Sequence, residues 1–196
     1  MIVLALGIAA AWAAAPEPDR PSLPQQDSAC VAVRRPGVIS PADAPLDSVR
    51  FSVGTAWVSI CYSRPQASPA QPSIGSPRAP YGVVWRTGGP TPAIMYTSGR
   101  ISIAGVSVPP GRYVLYTVPG ERDWQLVINR SVARWADGGG YDANLRSAEV
   151  GRARLPVEQL SRFVERLTLR PVAARPNVIL FLEWERVEVT IPITPG

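Results

Sequence analysis

A guanidinium and two carboxylates stand in strand-like runs, and they are the side chains with most chemistry to offer. Arg86 falls in Val83-Val84-Trp85-Arg86-Thr87, where alternation puts it on one face with Val84. Glu183 and Glu185 flank Trp184, on the face they share with Ile179 and Phe181. Charges on partly buried faces need partners, because desolvating an unpaired ion is costly. One reading is an Arg86–Glu183 ion pair that closes one end of the core. The other is a cleft in which Arg86 grips a carboxylate or sulfate, with Glu183, Glu185, Asp43 and Trp135 as further binding residues. A glycosidase needs two acids flanking its substrate, and two carboxylates on one strand serve that geometry poorly. No residue is assigned a catalytic role.

The chain has no histidine, which removes the commonest general base and metal ligand and rules out His-based triads. The only cysteines are Cys30 and Cys61, too few for a zinc centre, and no metal site is expected. In an exported chain an even count favours a Cys30–Cys61 disulfide, with two separate thiols as the alternative. A glycine run at 138–140 has no strand after it and no Gly-Lys-Ser/Thr, so it does not read as a phosphate cradle. No cofactor is expected. Tyr81, Trp85, Tyr113, Tyr116, Trp124 and Trp184 form either core or a sugar-stacking platform, and their strand spacing favours core. Trp57 and Trp135 are better placed for exposed stacking.

The elements that must position these groups follow from punctuation and period. At 196 residues and 46% hydrophobic content, one domain with one substantial core is expected. An apolar run over residues 2–11 leads into Ala11-Trp12-Ala13, a small-x-small cleavage pattern, so residues 1–13 read as a signal peptide. The Pro-rich stretch 14–29 reads as a disordered tether, and 30–196 as a single domain. This implies a periplasmic or extracellular protein with no integral membrane segment after cleavage. All 20 basic residues are Arg, and they are scattered apart from Arg34-Arg35. Despite a net charge of +5, no nucleic-acid partner is expected.

Short alternating runs predict strands at 49–53, 56–63, 82–87, 93–97, 101–108 with a break at Gly105, 112–118 and 123–129. Four prolines and four serines make 63–79 a long surface excursion and a candidate lid. Val157, Leu160, Val164 and Leu167 recur at helical spacing, so a short helix or turn is expected at 157–162, then a strand at 164–170. A final strand pair is expected at 177–185 and 187–193. The sum is all-β: an antiparallel β-sandwich of about ten short strands with at most one short helix.

Several of these runs carry a resemblance. Pro80-Tyr-Gly-Val-Val-Trp-Arg-Thr-Gly88, Val58 to Pro65, Val108 to Pro119, Trp124 to Asn129 and Leu182 to Glu185 resemble the exported bacterial family known as domain of unknown function 2911. The resemblance runs from about Ser40 to Ile193 and implies an exported, mostly bacterial, all-β domain with no assigned activity. It also implies differences from relatives. Ser40-Pro41-Ala42-Asp43 stands where they often have Ser-Pro-His-Asp, and Pro90 and Thr91 where they often have an Asn/Asp-Glu pair. Two functions follow. One is a non-catalytic envelope module that binds a glycan, peptide or partner protein. The other is an envelope hydrolase using Arg86 with Glu183 or Asp43.

Overall fold

The structure, a computed structural model, describes residues 44–89, 92–131 and 140–196. Among the described residues, nine strands form one antiparallel sheet in the order β1-β2-β3-β6-β7-β8-β9-β4-β5. They are β1 Leu46–Val53, β2 Ala56–Ser63, β3 Ala93–Thr97, β4 Ile101–Ile103, β5 Val106–Val108, β6 Gly111–Val118, β7 Asp123–Asn129, β8 Glu149–Ala174 and β9 Asn177–Pro195. Among the described residues there is one short helix, α1 (Ala143–Ser147), which starts where the Asp142 side chain accepts from the Leu145 N–H. Among the described residues, no helix is long and apolar enough to cross a membrane.

The all-β antiparallel class is as expected, but the facing layers are two limbs of a single sheet. β8 makes the join: it pairs with β7 through Pro156 and with β9 from Val157 onward. Val58, Ile60, Leu115, Trp124 and Leu126 from one limb meet Leu167, Leu180, Trp184 and Ile191 from the other in one core. Gly151 allows the limbs to close, since a Cβ there would lie 2.7 Å from Val106 of β5. A second cluster of Ile94, Val114, Tyr116, Val118 and Val127 lies apart from this core.

Three expectations are corrected. Residues 82–87 form no strand; only Trp85 bridges β6, at Thr117. Left-handed φ values of 72° at Gly82 and 55° at Thr87 interrupt the extended run at both ends. Residues 157–162 are neither helix nor turn but part of β8. Bulges produced the misleading spacing: residues 160–163 of β8 face Arg186 alone, and 165–167 face Trp184 alone. Extra residues turn a period of two into intervals of three and four. The expected final strand pair is one continuous strand, β9, kinked at Glu185 where φ is 57°.

Candidate functional site

Alternation on β9 sends Leu182 and Trp184 into the core and Glu183 out of it, yet Glu183 is only 3% exposed. Two arginines of β8 cover it. Arg170 places Nε and Nη2 on Oε1 at 2.8 and 2.5 Å, and Arg162 places Nη2 on Oε2 at 2.5 Å. Arg170 also lies 4.4 Å over the Phe181 ring and reaches Glu188 at 3.2 Å. The first bulge carries Arg162 to this position. Burial opposes ionisation of Glu183, but the Arg170 and Arg162 hydrogen bonds outweigh it and hold its carboxyl below the usual range. Burial, then the hydrogen bond and charge of Glu183, push Glu188 up.

These opposed shifts predict a pH signature. A lowered carboxyl stabilises above its unfolded value and loses that stability as pH falls through the folded value; a raised one does the reverse. From neutral pH downward, the urea midpoint rises slightly as Glu188 protonates, then falls as Glu183 does. Glu188→Gln removes the rise. Glu183→Gln removes the fall and costs about 1–2 kcal/mol at neutral pH, held down by the half-exposed arginines. Identical pH profiles for both variants and the parent would contradict this coupling.

Glu185 has a different task. Its left-handed backbone turns the carboxylate toward the 64–79 segment, where Oε1 accepts the N–H groups of Ser73 and, at 3.3 Å, Ile74. The second bulge of β8 docks the start of the same segment. The Ala67 N–H donates to Glu165 O at 2.8 Å and the Leu167 N–H to Pro65 O at 3.2 Å, so backbone groups freed by the bulge find partners. Arg64 adds Nε to Leu167 O and Nη2 to Thr168 Oγ1, each at 3.0 Å. Within the loop, Gln71 N–H donates to Ser68 O and Ser76 Oγ to Ser73 O. Ala67, Ser73 and Ala79 are buried. The segment expected as a lid is a fastened platform. Its surface holds a hollow of about 250 Å³ lined by Gln66, Ala67, Ser68, Gln71 and Arg78.

Arg86 does not meet Glu183, contrary to the expected ion pair. Trp85 and Trp184 stack in the core at 5.3 Å with planes 2° apart, so Arg86 and Glu183 leave the core on opposite sides. Arg86 is engaged elsewhere and lies near Tyr116 of the second cluster. Burial pushes the Tyr116 phenol up, and the Arg86 charge draws it back. Beside it, the buried Asn129 amide donates to Tyr141 Oη at 2.9 Å and to Leu145 O at 2.6 Å. Tyr141 Oη donates to Glu149 at 2.8 Å, and Arg152 clamps the same carboxylate. Burial, then the bond to Glu149, push Tyr141 up to about 12. This network fastens the α1 segment to β7 and β8.

Arg86, Glu183 and Glu185 thus occupy three separate settings. Asp43, Trp135 and Cys30 lie outside the described residues, as do Pro90 and Thr91. Cys61 is buried on β2. Trp57 is half-buried and stacks on Tyr96 at 4.8 Å, whereas Tyr81, grouped with the core aromatics, is 46% exposed. Arg162, Arg170, Gln66 and Arg78 were not singled out by the sequence, and only the arginines' sign signalled them as partners for Glu183. Among the described residues, no group of three or more His, Cys, Asp or Glu is placed to hold a metal.

The class these features define is an all-β antiparallel domain whose carboxylates fasten strands and a long loop. The chain belongs to the family described as Protein of unknown function (DUF2911), whose family model matches residues 44–193. No curated protein and no solved structure matches it.

Proposed function

We propose that this protein is an exported envelope domain that binds a glycan, peptide or partner protein without altering it chemically. The supporting observation is the use to which Glu183 and Glu185 are put. Two arginines occupy Glu183 and two backbone N–H groups occupy Glu185, so both carboxylates act as fasteners. A hydrolase on Arg86 and Glu183 would need them across a shared cleft, and they leave the core on opposite sides. What the fasteners hold is a fixed loop surface, which suits recognition.

Co-sedimentation of the full chain with purified cell-wall glycan, and capture by envelope proteins and peptides, test this reading. Saturable binding with no product after prolonged incubation is the expected result. Turnover that disappears in a folded Glu183→Gln variant overturns it. Export has its own check: the chain recovered from the periplasm or medium begins at Ala14. In denaturant it shows no reactive thiol until reduction releases Cys30 and Cys61. Free thiols without reduction, or a cytoplasmic chain retaining residues 1–13, contradict that part.

A further inference from the structure

We propose that the hollow over Ala67 is a subsite for the carboxylate of a small ligand or chain end, held by Arg78 with Gln66, Ser68 and Gln71. It deepens the binding-module reading and rests on it. The argument starts from unspent donors. Among the described residues, the Arg78 guanidinium has no hydrogen bond or ion pair; only its backbone N–H is used, on Ser76 Oγ. Arg166 Nη2 donates to Gln66 Oε1 at 3.0 Å, which leaves the Gln66 amide N–H groups as donors. The side chains of Ser68 and Gln71 are likewise unused among the described residues, although their backbones close a turn.

No carboxylate lines the hollow, so Arg78 has no internal competitor. One planar guanidinium among neutral donors matches a singly charged, planar anion better than a multiply charged one. A volume of about 250 Å³ is below that of sites for drug-sized ligands, so a single small residue or chain end is the fitting size. The floor is already ordered, through Ala67 on Glu165 O and the Glu185 bonds to Ser73 and Ile74. The backbone therefore needs no rearrangement, and the ordering cost is confined to the exposed Arg78, Gln66 and Gln71 side chains.

The test is a titration of the full chain followed by backbone amide NMR. The probes are N-acetylalanine and its amide, and glucuronate and glucose. An acid that shifts the amides of residues 66–78, with its neutral counterpart at least about tenfold weaker, supports the subsite. A response to N-acetylalanine alone points to a peptide end, and one to glucuronate alone to an acidic sugar. Arg78→Gln weakens the response about tenfold, whereas Arg112→Gln, on the exposed surface of β6, leaves it unchanged. Equal response to acid and neutral probes, no response to any probe, or undiminished binding by Arg78→Gln overturns the subsite. If the probes fail while the chain still sediments with cell-wall glycan, the subsite falls and the binding-module reading stands.

Discussion

Replacing Trp184 with alanine lowers the stability of the fold by about 4 kcal/mol, whereas phenylalanine at the same position costs about 1 kcal/mol. Trp184 is 1% exposed and stacks on Trp85, whose ring meets Trp124 edge-on at 6.3 Å. Three indoles from Trp85, β7 and β9 thus link the two limbs of the sheet. Truncation to Ala opens a large void that close-packed neighbours refill only in part. Phe keeps the stacking face. It also removes the indole N–H, which is buried without a hydrogen-bond partner among the described residues. Leaving such a donor unmet costs about 1–3 kcal/mol, and removing it offsets part of the lost contact. A domain of this size is stable by about 5–15 kcal/mol in all, so the Ala variant gives up a large share. Urea unfolding measures both variants; equal losses for Phe and Ala would show that a ring at this position does not hold the limbs together and end the argument.

Glu185→Ala costs about 3–4 kcal/mol and, more tellingly, loosens residues 67–79 ahead of the rest of the fold. Glu185 is 7% exposed, and its carboxylate is the acceptor for two backbone N–H groups. A bond to a charged acceptor contributes about 1.5–3 kcal/mol, and removing the acceptor leaves the Ser73 N–H buried and unmet. Hydrogen exchange is the decisive measurement. In the parent, the Ser73, Gly75 and Ala79 amides exchange slowly; in Glu185→Ala they exchange fast, while β6 and β7 stay protected. Glu185→Gln keeps a neutral acceptor and retains most of the protection. Uniform loss of protection across the sheet would mean that Glu185 braces β9 rather than the loop. Protection unchanged in Glu185→Ala would mean that other bonds suffice to hold the platform.

The two variants mark the limit of what a linear reading reaches. Trp85, Trp124 and Trp184 are legible as core residues because they stand in β-rich runs, Trp124 and Trp184 each between polar or charged neighbours and Trp85 between Val84 and Arg86. Strands β1 to β7 are legible for the same reason, with turns supplied by Gly54, Gly105 and Pro109-Pro110-Gly111. The off-sheet course of 64–79 is legible from its prolines, which cannot donate to a ladder. α1 went unread, since five residues are too few to show a period.

What alternation cannot supply is partnership. Glu183 is visible as a charge on a half-buried strand, but nothing in its neighbourhood points to Arg162 and Arg170 rather than Arg86. That choice depends on two bulges in β8, and each bulge resets which residue lies opposite which. The left-handed turn at Glu185 is equally silent in the local sequence: Trp184-Glu185-Arg186 reads as ordinary strand. It arises where β9 must match a bulged partner while its carboxylate reaches a loop more than a hundred residues earlier in the chain. The sequence alone determined the class of structure, the inward faces and the family, because these are properties of local period and order. Only the tertiary structure decided which charges meet and which stay unspent at Arg78, because register and chain-distant contact are set when the two limbs close.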